Sequence, residues 1–124
     1  KPVSFPQVAS AVIDVGPMHH QRALEKDEVA DLNKWLDGHK SGWGPLSRTP
    51  PSSGDSHLFL KDAQGKDVLT LTLWTGISAA DWNATVFVES PDGSWVRSET
   101  FSNKDFAPLR LMVDRYPFKH SSFP

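Results

Sequence analysis

The sequence contains no cysteine, one tyrosine and two methionines among its 124 residues. The absence of cysteine excludes a disulfide framework, a thiol nucleophile and a zinc site built on cysteine. No apolar run approaches the roughly 20 residues that a transmembrane helix requires. There is also little excess charge, since 13 lysines and arginines face 15 aspartates and glutamates and leave a net charge of −2. We therefore expect neither a nucleic-acid partner nor a membrane-spanning segment.

The residues that are present fit a folded chain, because 38% are hydrophobic and 23% charged, outside the range of disordered proteins. We expect residues 1–124 to form a single domain. Within it, residues 1–6 are interpreted as an extended leader, because their two prolines oppose a helix, and residues 118–124 as a tail.

The first residue is Lys1 rather than methionine. A removed signal peptide is one explanation and a trimmed fragment is another. The first explanation predicts a periplasmic or otherwise exported protein, and it leaves room for a lipid anchor upstream of Lys1.

The clearest element is an amphipathic helix between Leu24 and Gly38. Glu25 is predicted as its N-cap, with Glu28 closing a capping box, and Asp27 is the alternative cap. Gly38 is expected to end the helix in the left-handed conformation. The apolar residues that share one stripe at helical spacing are Leu24, Val29, Leu32, Trp35 and Leu36.

Strands are predicted on both sides of a hairpin turn that contains Gly65, after a first strand over Val8–Val15. Phe59 and Trp74 fall on the face opposite to the alternating apolar residues, and this face is expected to be only half covered. The alternating residues that predict the core face are Leu58, Leu60, Leu69, Leu71 and Leu73.

The last third of the chain predicts a second hairpin and a second helix. Strands over 85–89 and 94–100 flank a turn with proline and glycine in favoured places. Residues 104–115 fit either a strand, from the alternation of their apolar residues, or a helix capped by Ser102. We favour the helix and expect Pro117 to end it.

The predicted fold class is α+β, an antiparallel β meander with two helices packed on one face and the order β-α-β-β-β-β-α.

No motif for catalysis or for metal binding is found. Gly54–His57 contains the residue types of a nucleophilic site, but adjacent residues on an extended chain point in different directions. Glu28 and Asp31 lie one helical turn apart and are interpreted as a solvated helix face rather than a catalytic pair. The five histidines lack the i, i+4 spacing that places two imidazoles around a metal. We therefore expect no enzymatic activity, no metal and no cofactor.

The tryptophans give the best remaining functional signal. Trp43 lies between two glycines in a long predicted loop, 39–56, where it is either an anchor for a partner or a plug that folds back beneath the helix. Aromatic residues on the sheet face away from the helices form a second candidate surface, which either loops cover or a ligand occupies. This platform is predicted from Phe59, Trp74, Trp82, Phe87 and Trp95. The predicted partner-binding residues are Trp43, Arg48, Trp74, Trp82 and Trp95.

The segment Leu32–Trp43, LNKWLDGHKSGW, resembles one in small exported proteins of uncharacterised function from Gram-negative bacteria. Some small proteins of this general build are immunity partners of antibacterial secretion-system effectors. The resemblance covers about a tenth of the chain and includes no catalytic motif.

This resemblance implies an extracytoplasmic protein. With the missing catalytic motifs and the tryptophan-bearing loop, it leads us to expect a binding or inhibitor protein, such as an immunity protein that occludes the active site of a toxin or effector. The alternative function is a module that binds a small ligand or a cell-envelope polymer through the aromatic sheet face.

Overall fold

The computed structural model describes residues 3–118, which form one six-stranded antiparallel sheet and two α-helices. The strands are β1 (Ser10–Val15), β2 (His20–Ala23), β3 (Ser56–Lys61), β4 (Asp67–Trp74), β5 (Thr85–Glu89) and β6 (Val96–Thr100). The helices are α1 (Lys26–Asp37) and α2 (Asn103–Phe118), and a short 3-10 turn spans Ala80–Trp82. The strand order across the sheet is β2-β1-β3-β4-β5-β6. The predicted α+β class and the order of the predicted elements are confirmed, with β2 as an additional strand.

β2 occupies a segment, between the first predicted strand and the first predicted helix, for which no strand was predicted. The turn before it reverses the chain with Gly16 at φ 76° and His19 at φ 53°, so that β2 pairs antiparallel with β1 and Val12 lies opposite Ala23. Its sequence, HQRA, shows no apolar alternation because three of its four side chains are exposed at the edge of the sheet. An edge strand of this kind carries no signal in its hydrophobic pattern.

The apolar alternation correctly identified the core face of the sheet. Both helices pack on this face, and the predicted stripe of α1 faces it, with Leu32, Trp35 and Leu36 buried and Val29 half-buried. Asn33 fixes the start of the sheet against α1, since its side-chain oxygen accepts the Val8 N–H at 2.9 Å and its amide donates to the Val8 carbonyl at 2.8 Å. The buried strand residues on this face include Ala11, Ile13, Leu58, Leu60, Leu69, Leu71, Leu73, Val86 and Val88.

The N-terminus of α1 forms as predicted and its C-terminus does not. Glu25 is the N-cap, and its N–H donates to Glu28 Oε1 at 2.9 Å, as a capping box requires. Gly38 keeps a right-handed conformation, φ −85° and ψ −4°, so the predicted left-handed stop is wrong. The helix ends instead through a tightened turn, in which the His39 N–H donates to the Leu36 carbonyl at 3.1 Å.

α2 confirms the helix over the alternative strand for residues 104–115. The Ser102 hydroxyl accepts the Asp105 N–H at 3.1 Å, which is the predicted cap. The helix does not end before Pro117 but continues to Phe118. Pro117 has no N–H, so the Val113 carbonyl receives no helical hydrogen bond from it, and the helix ends one residue later.

The structure describes most of the predicted leader but little of the predicted tail. Residues 3–6 form no regular element, but the Val3 N–H donates to the Lys40 carbonyl at 2.7 Å, and Val3 and Phe5 pack against the main core. This part of the chain is therefore packed on the domain. The predicted tail, apart from Phe118 at the end of α2, lies outside the described residues.

The environment of Glu28 differs from the predicted one. It was interpreted as part of a solvated face, but it is only 2% exposed. Arg22 of β2 donates to both of its carboxylate oxygens at 2.7 and 2.8 Å, and Arg115 of α2 lies 3.2 Å from Oε2. The carboxylate thus joins β2, α1 and α2, which the spacing of Glu28 and Asp31 could not reveal because both cations come from other elements.

Candidate functional site

Trp43 lies in the core and not on the surface. Its side chain is 7% exposed, and its indole N–H donates to the His39 carbonyl at 2.6 Å. The rings of Phe5, Trp35 and Phe101 surround it, with centroids 6.1, 6.4 and 5.4 Å away. Of the two predicted alternatives, the structure shows the one in which Trp43 folds back beneath the helix. The prediction that Trp43 is a surface anchor for a partner is therefore wrong.

Trp74 and Trp82 lie on the sheet face away from the helices, as predicted, where they form a cluster with Phe87. Their ring centroids are separated by 4.6 to 5.9 Å. The Arg48 guanidinium lies 4.3 Å from the Trp82 ring, and the Trp74 indole N–H donates to Ser52 Oγ at 3.1 Å. All three aromatic side chains are buried, so loops cover this part of the platform and it offers no open aromatic surface.

Trp95 does not join this platform. It is half-buried and packs against the main core on the helix side of the sheet, with the Arg97 guanidinium 5.0 Å from its ring. The pairing of β5 with β6 explains the difference, because Arg97 lies opposite Val88 and therefore shares the helix face, whereas Val96 packs with the aromatic cluster. The predicted assignment of Trp95 to the face away from the helices was therefore wrong.

The segment Asp55–His57 does not assemble a nucleophilic site. The Ser56 hydroxyl is buried and donates to the Asp14 carbonyl at 2.9 Å. His57 projects to the other sheet face, where its Nε2 lies 2.8 Å from the Ser53 carbonyl. The period of two along a strand thus separates the serine from the histidine, as expected. No group of three or more metal-ligating side chains occurs in the part of the chain that the structure describes.

The structure brings together a surface that the sequence analysis did not predict. Three connections meet at the end of the sheet where β1 finishes and β3 begins: residues 16–19, 52–55 and 75–79. We refer to these residues as the loop apex. An apolar pocket of about 510 Å³ lies between them. Its apolar lining comprises Val15, Pro17, Ile77 and Val113, and polar residues that include His19, Asp55 and His57 complete it.

Asp55 holds the three connections of the loop apex together. Its backbone carbonyl accepts the Gly16 N–H at 3.0 Å, and its own N–H donates to the Leu73 carbonyl at 2.8 Å. Its carboxylate accepts the N–H groups of Thr75 at 2.8 Å and of Ser78 at 3.3 Å. A single side chain therefore fixes the backbone on both sides of Ile77.

A second carboxylate fixes the first connection. Asp14 is buried, and it accepts a hydrogen bond from the Gln21 amide at 2.9 Å. His19 Nδ1 lies 3.2 Å from the same carboxylate, and this contact holds His19 in its positive-φ conformation. The turn that carries Met18 is thus anchored at its base.

The loop apex exposes two large apolar side chains. Ile77 is 84% exposed and Met18 is 76% exposed. Neither residue is among the partner-binding residues that the sequence predicted. An isolated apolar residue beside a glycine or proline in a predicted loop was the available signal, but a single residue of this kind is common on protein surfaces and identifies nothing by itself.

Comparisons with known proteins show the fold alone. No protein-family model matches the sequence, and no curated protein sequence matches it. A solved structure described as "putative lipoprotein from Clostridium perfringens" is similar, with a TM-score of 0.58 and 10% sequence identity over 86% of this chain and 84% of that chain. No helix among residues 3–118 is long and apolar enough to cross a membrane.

Proposed function

We propose that this chain is an extracytoplasmic binding protein that engages a protein partner through the loop apex. The observation that carries the proposal is the exposure of Ile77, at 84%, on a backbone that the Asp55 carboxylate fixes on both sides. Met18 stands on the neighbouring turn, and the apolar pocket lies between the three connections. A complementary partner would bury the side chain of Ile77 in a pocket of its own and place an apolar side chain in the pocket of the loop apex.

The rigidity of the loop apex favours binding. A flexible loop loses conformational freedom when a partner orders it, and this loss weakens the complex. Here the hydrogen bonds of Asp55 and Asp14 hold two connections in place before any partner arrives. Binding energy in protein interfaces is concentrated in a few well-packed anchors, and Ile77 and Met18 are the candidates for that role.

Export is supported by two weaker observations. The description of the similar Clostridium perfringens structure as a lipoprotein fits a protein outside the cytoplasm. The resemblance of residues 32–43 to exported bacterial proteins points in the same direction. As an immunity or inhibitor protein, the chain would insert the side chain of Ile77 into the active-site cleft of an effector. The loop apex, and not the Trp43 loop, would then contact the effector.

A site-specific photocrosslinking experiment tests the proposal. A photoreactive amino acid is placed at position 77 and, as a matched control, at position 46, because Leu46 is also an exposed apolar residue but lies outside the loop apex. After irradiation in the native host, we expect position 77 to capture a defined protein that position 46 does not. Equal labelling at both positions would contradict the proposal.

The captured partner then allows affinity to be measured. We expect Ile77→Asp to weaken binding by about tenfold or more, which corresponds to roughly 1.4 kcal/mol, because a charge replaces an apolar anchor. Leu46→Asp is expected to leave the dissociation constant unchanged. An Ile77→Asp variant that binds as tightly as the unaltered protein would remove the loop apex from the interface.

A further inference from the structure

A second surface lies on the opposite side of the sheet from the aromatic cluster, between the two helices. The helices run antiparallel: the Trp35 indole N–H donates to the Asp105 carbonyl at 2.7 Å near one end, and Arg115 Nη2 lies 3.0 Å from Glu25 Oε1 at the other. Between these contacts an open groove of about 590 Å³ runs along the outside of the helix pair. This volume falls within the range of small-ligand sites in proteins.

The floor and wall of the groove are apolar. Leu111 stands in the groove with 64% of its surface exposed, although a leucine in a helix that packs on a core is usually buried. Pro108 beside it has no N–H, so the Lys104 carbonyl receives no helical hydrogen bond from that position. The apolar lining comprises Trp35, Ala107, Pro108, Leu111 and Met112.

The charges of the groove are distributed unevenly. At the end near the start of α1, the carboxylates of Glu25 and Glu28 pair with the guanidinium groups of Arg22 and Arg115, so that two negative and two positive charges compensate each other. At the opposite end, Lys34 and Lys104 line the groove, and neither forms an ion pair with any residue from 3 to 118. Asp31 is the remaining acidic residue of the lining and lies on α1 between the two ends. The groove therefore has an apolar middle and one cationic end.

We propose that this groove binds a single acyl chain that carries an anionic headgroup. The chain lies along Leu111 and Pro108, and the headgroup lies between the ammonium groups of Lys34 and Lys104. An apolar body with one negative end matches the apolar lining and the position of the two lysines. A fatty-acid carboxylate and the phosphate of a lysophospholipid share this chemistry. The site does not involve the loop apex, so it stands or falls separately from the proposed protein partner.

Displacement of a fluorescent probe tests the inference. The purified protein is titrated with dansylaminoundecanoic acid, and the bound probe is then displaced by palmitate, lysophosphatidylglycerol, lysophosphatidylcholine or hexadecanol, all below their micellar concentrations. We expect the anionic ligands to displace the probe at concentrations at least about tenfold lower than hexadecanol, because only they pair with the lysines. Lysophosphatidylcholine, which carries no net charge, is expected to resemble hexadecanol.

The two anionic ligands distinguish the source of the headgroup. Stronger displacement by palmitate indicates a free fatty acid as the ligand, and stronger displacement by lysophosphatidylglycerol indicates a phospholipid. Affinity should also rise about tenfold for each two methylene groups added to the chain, since a buried methylene contributes about 0.8 kcal/mol and about 1.4 kcal/mol corresponds to a factor of ten. Equal displacement by palmitate and hexadecanol, or no dependence on chain length, would overturn the inference.

Two variants locate the ligand in the groove. We expect Leu111→Asp to abolish probe binding and the double variant Lys34→Glu/Lys104→Glu to weaken binding of the anionic ligands by about tenfold or more while leaving hexadecanol unaffected. Leu46→Asp and Lys66→Glu, which alter an exposed leucine and an exposed lysine elsewhere, serve as matched controls. All five positions are surface residues, and circular dichroism melting curves verify that each variant is folded. Groove variants that bind like the controls would place the ligand elsewhere and refute the assignment.

Discussion

At the residue scale, Glu99 is the carboxylate that the fold accommodates least well. Its Oε1 is buried and has no hydrogen-bond partner in the described part of the chain. Its carboxyl group packs so closely against Gly42 that a Cβ added there would lie 2.6 Å from Oε2. Burial raises the pKa of Glu99, His39 acts in the opposite direction, and the charge of Asp105 adds to the increase. The folded chain therefore binds a proton at Glu99 more readily than the unfolded chain does.

This raised pKa predicts a pH-dependent effect of Glu99→Gln. Because the pKa is higher in the folded than in the unfolded chain, the folded state binds the proton more readily, and stability falls as pH rises from the unfolded value, 4.5, through the folded one. Glutamine mimics the protonated group at every pH. We expect Glu99→Gln to raise the free energy of unfolding at pH 7, with the gain shrinking toward zero near pH 4. Urea titrations at both pH values measure this, and a gain of equal size at both would contradict it.

At the scale of elements, the buried pair of Arg22 and Glu28 connects β2 to the helix layer. Both side chains are almost fully buried, and Arg22 also donates to the Met112 carbonyl at 3.0 Å. A buried pair of this kind is costly to break from one side, because the remaining charge loses its partner in a medium of low polarity. The pair therefore specifies where the edge strand docks.

A double-mutant cycle tests the role of this pair. We expect Glu28→Gln to lower the free energy of unfolding by about 3 kcal/mol, while the glutamine oxygen still allows the helix cap to form. The double variant Arg22→Met/Glu28→Gln is expected to lose clearly less than the sum of the two single variants, since it leaves no unpaired charge. Denaturant unfolding of the four proteins gives the coupling energy. Additive losses would show that the two side chains act independently.

Hydrophobic patterning predicted the elements in which burial follows a regular period. The alternating leucines of β3 and β4 and the stripe of α1 repeat at the periods that their structures impose. β2 was missed because its order depends on Arg22, a polar side chain whose partner is distant in sequence. For the same reason the burial of Glu28 could not be inferred from α1 alone.

The candidate site was less predictable than the fold. Tryptophan is a frequent interface anchor, yet Trp43 and Trp82 are both buried. Isoleucine is usually a core residue, yet Ile77 is exposed. The sequence shows which residue types are present in a loop, but the direction of each side chain depends on how the loop crosses the sheet. That path is set by long-range hydrogen bonds, such as those of the Asp55 carboxylate.

At the scale of the whole molecule, Trp43 closes the end of the core where separate parts of the chain converge. Phe5 precedes the sheet, Trp35 belongs to α1 and Phe101 precedes α2, and all three rings contact Trp43. The next residue, Gly44, exchanges backbone hydrogen bonds of 2.9 and 2.8 Å with Ser98 and so covers the outer edge of β6. The same segment therefore completes the core and protects one edge of the sheet.

Trp43→Ala should consequently destabilise the entire fold. We expect a loss of about 3–5 kcal/mol in the free energy of unfolding and a melting temperature lower by roughly 10 °C or more, because the cavity opens where these segments meet. Trp43→Phe keeps an aromatic ring and is expected to lose clearly less, mainly the hydrogen bond to the His39 carbonyl. Trp95→Ala, at a half-buried position on the same side of the sheet, provides the matched control with an expected loss of about 1–2 kcal/mol. Thermal and denaturant unfolding of the three variants measure these losses. Equal losses of unfolding free energy for Trp43→Ala and Trp95→Ala would show that Trp43 is not a central part of the core.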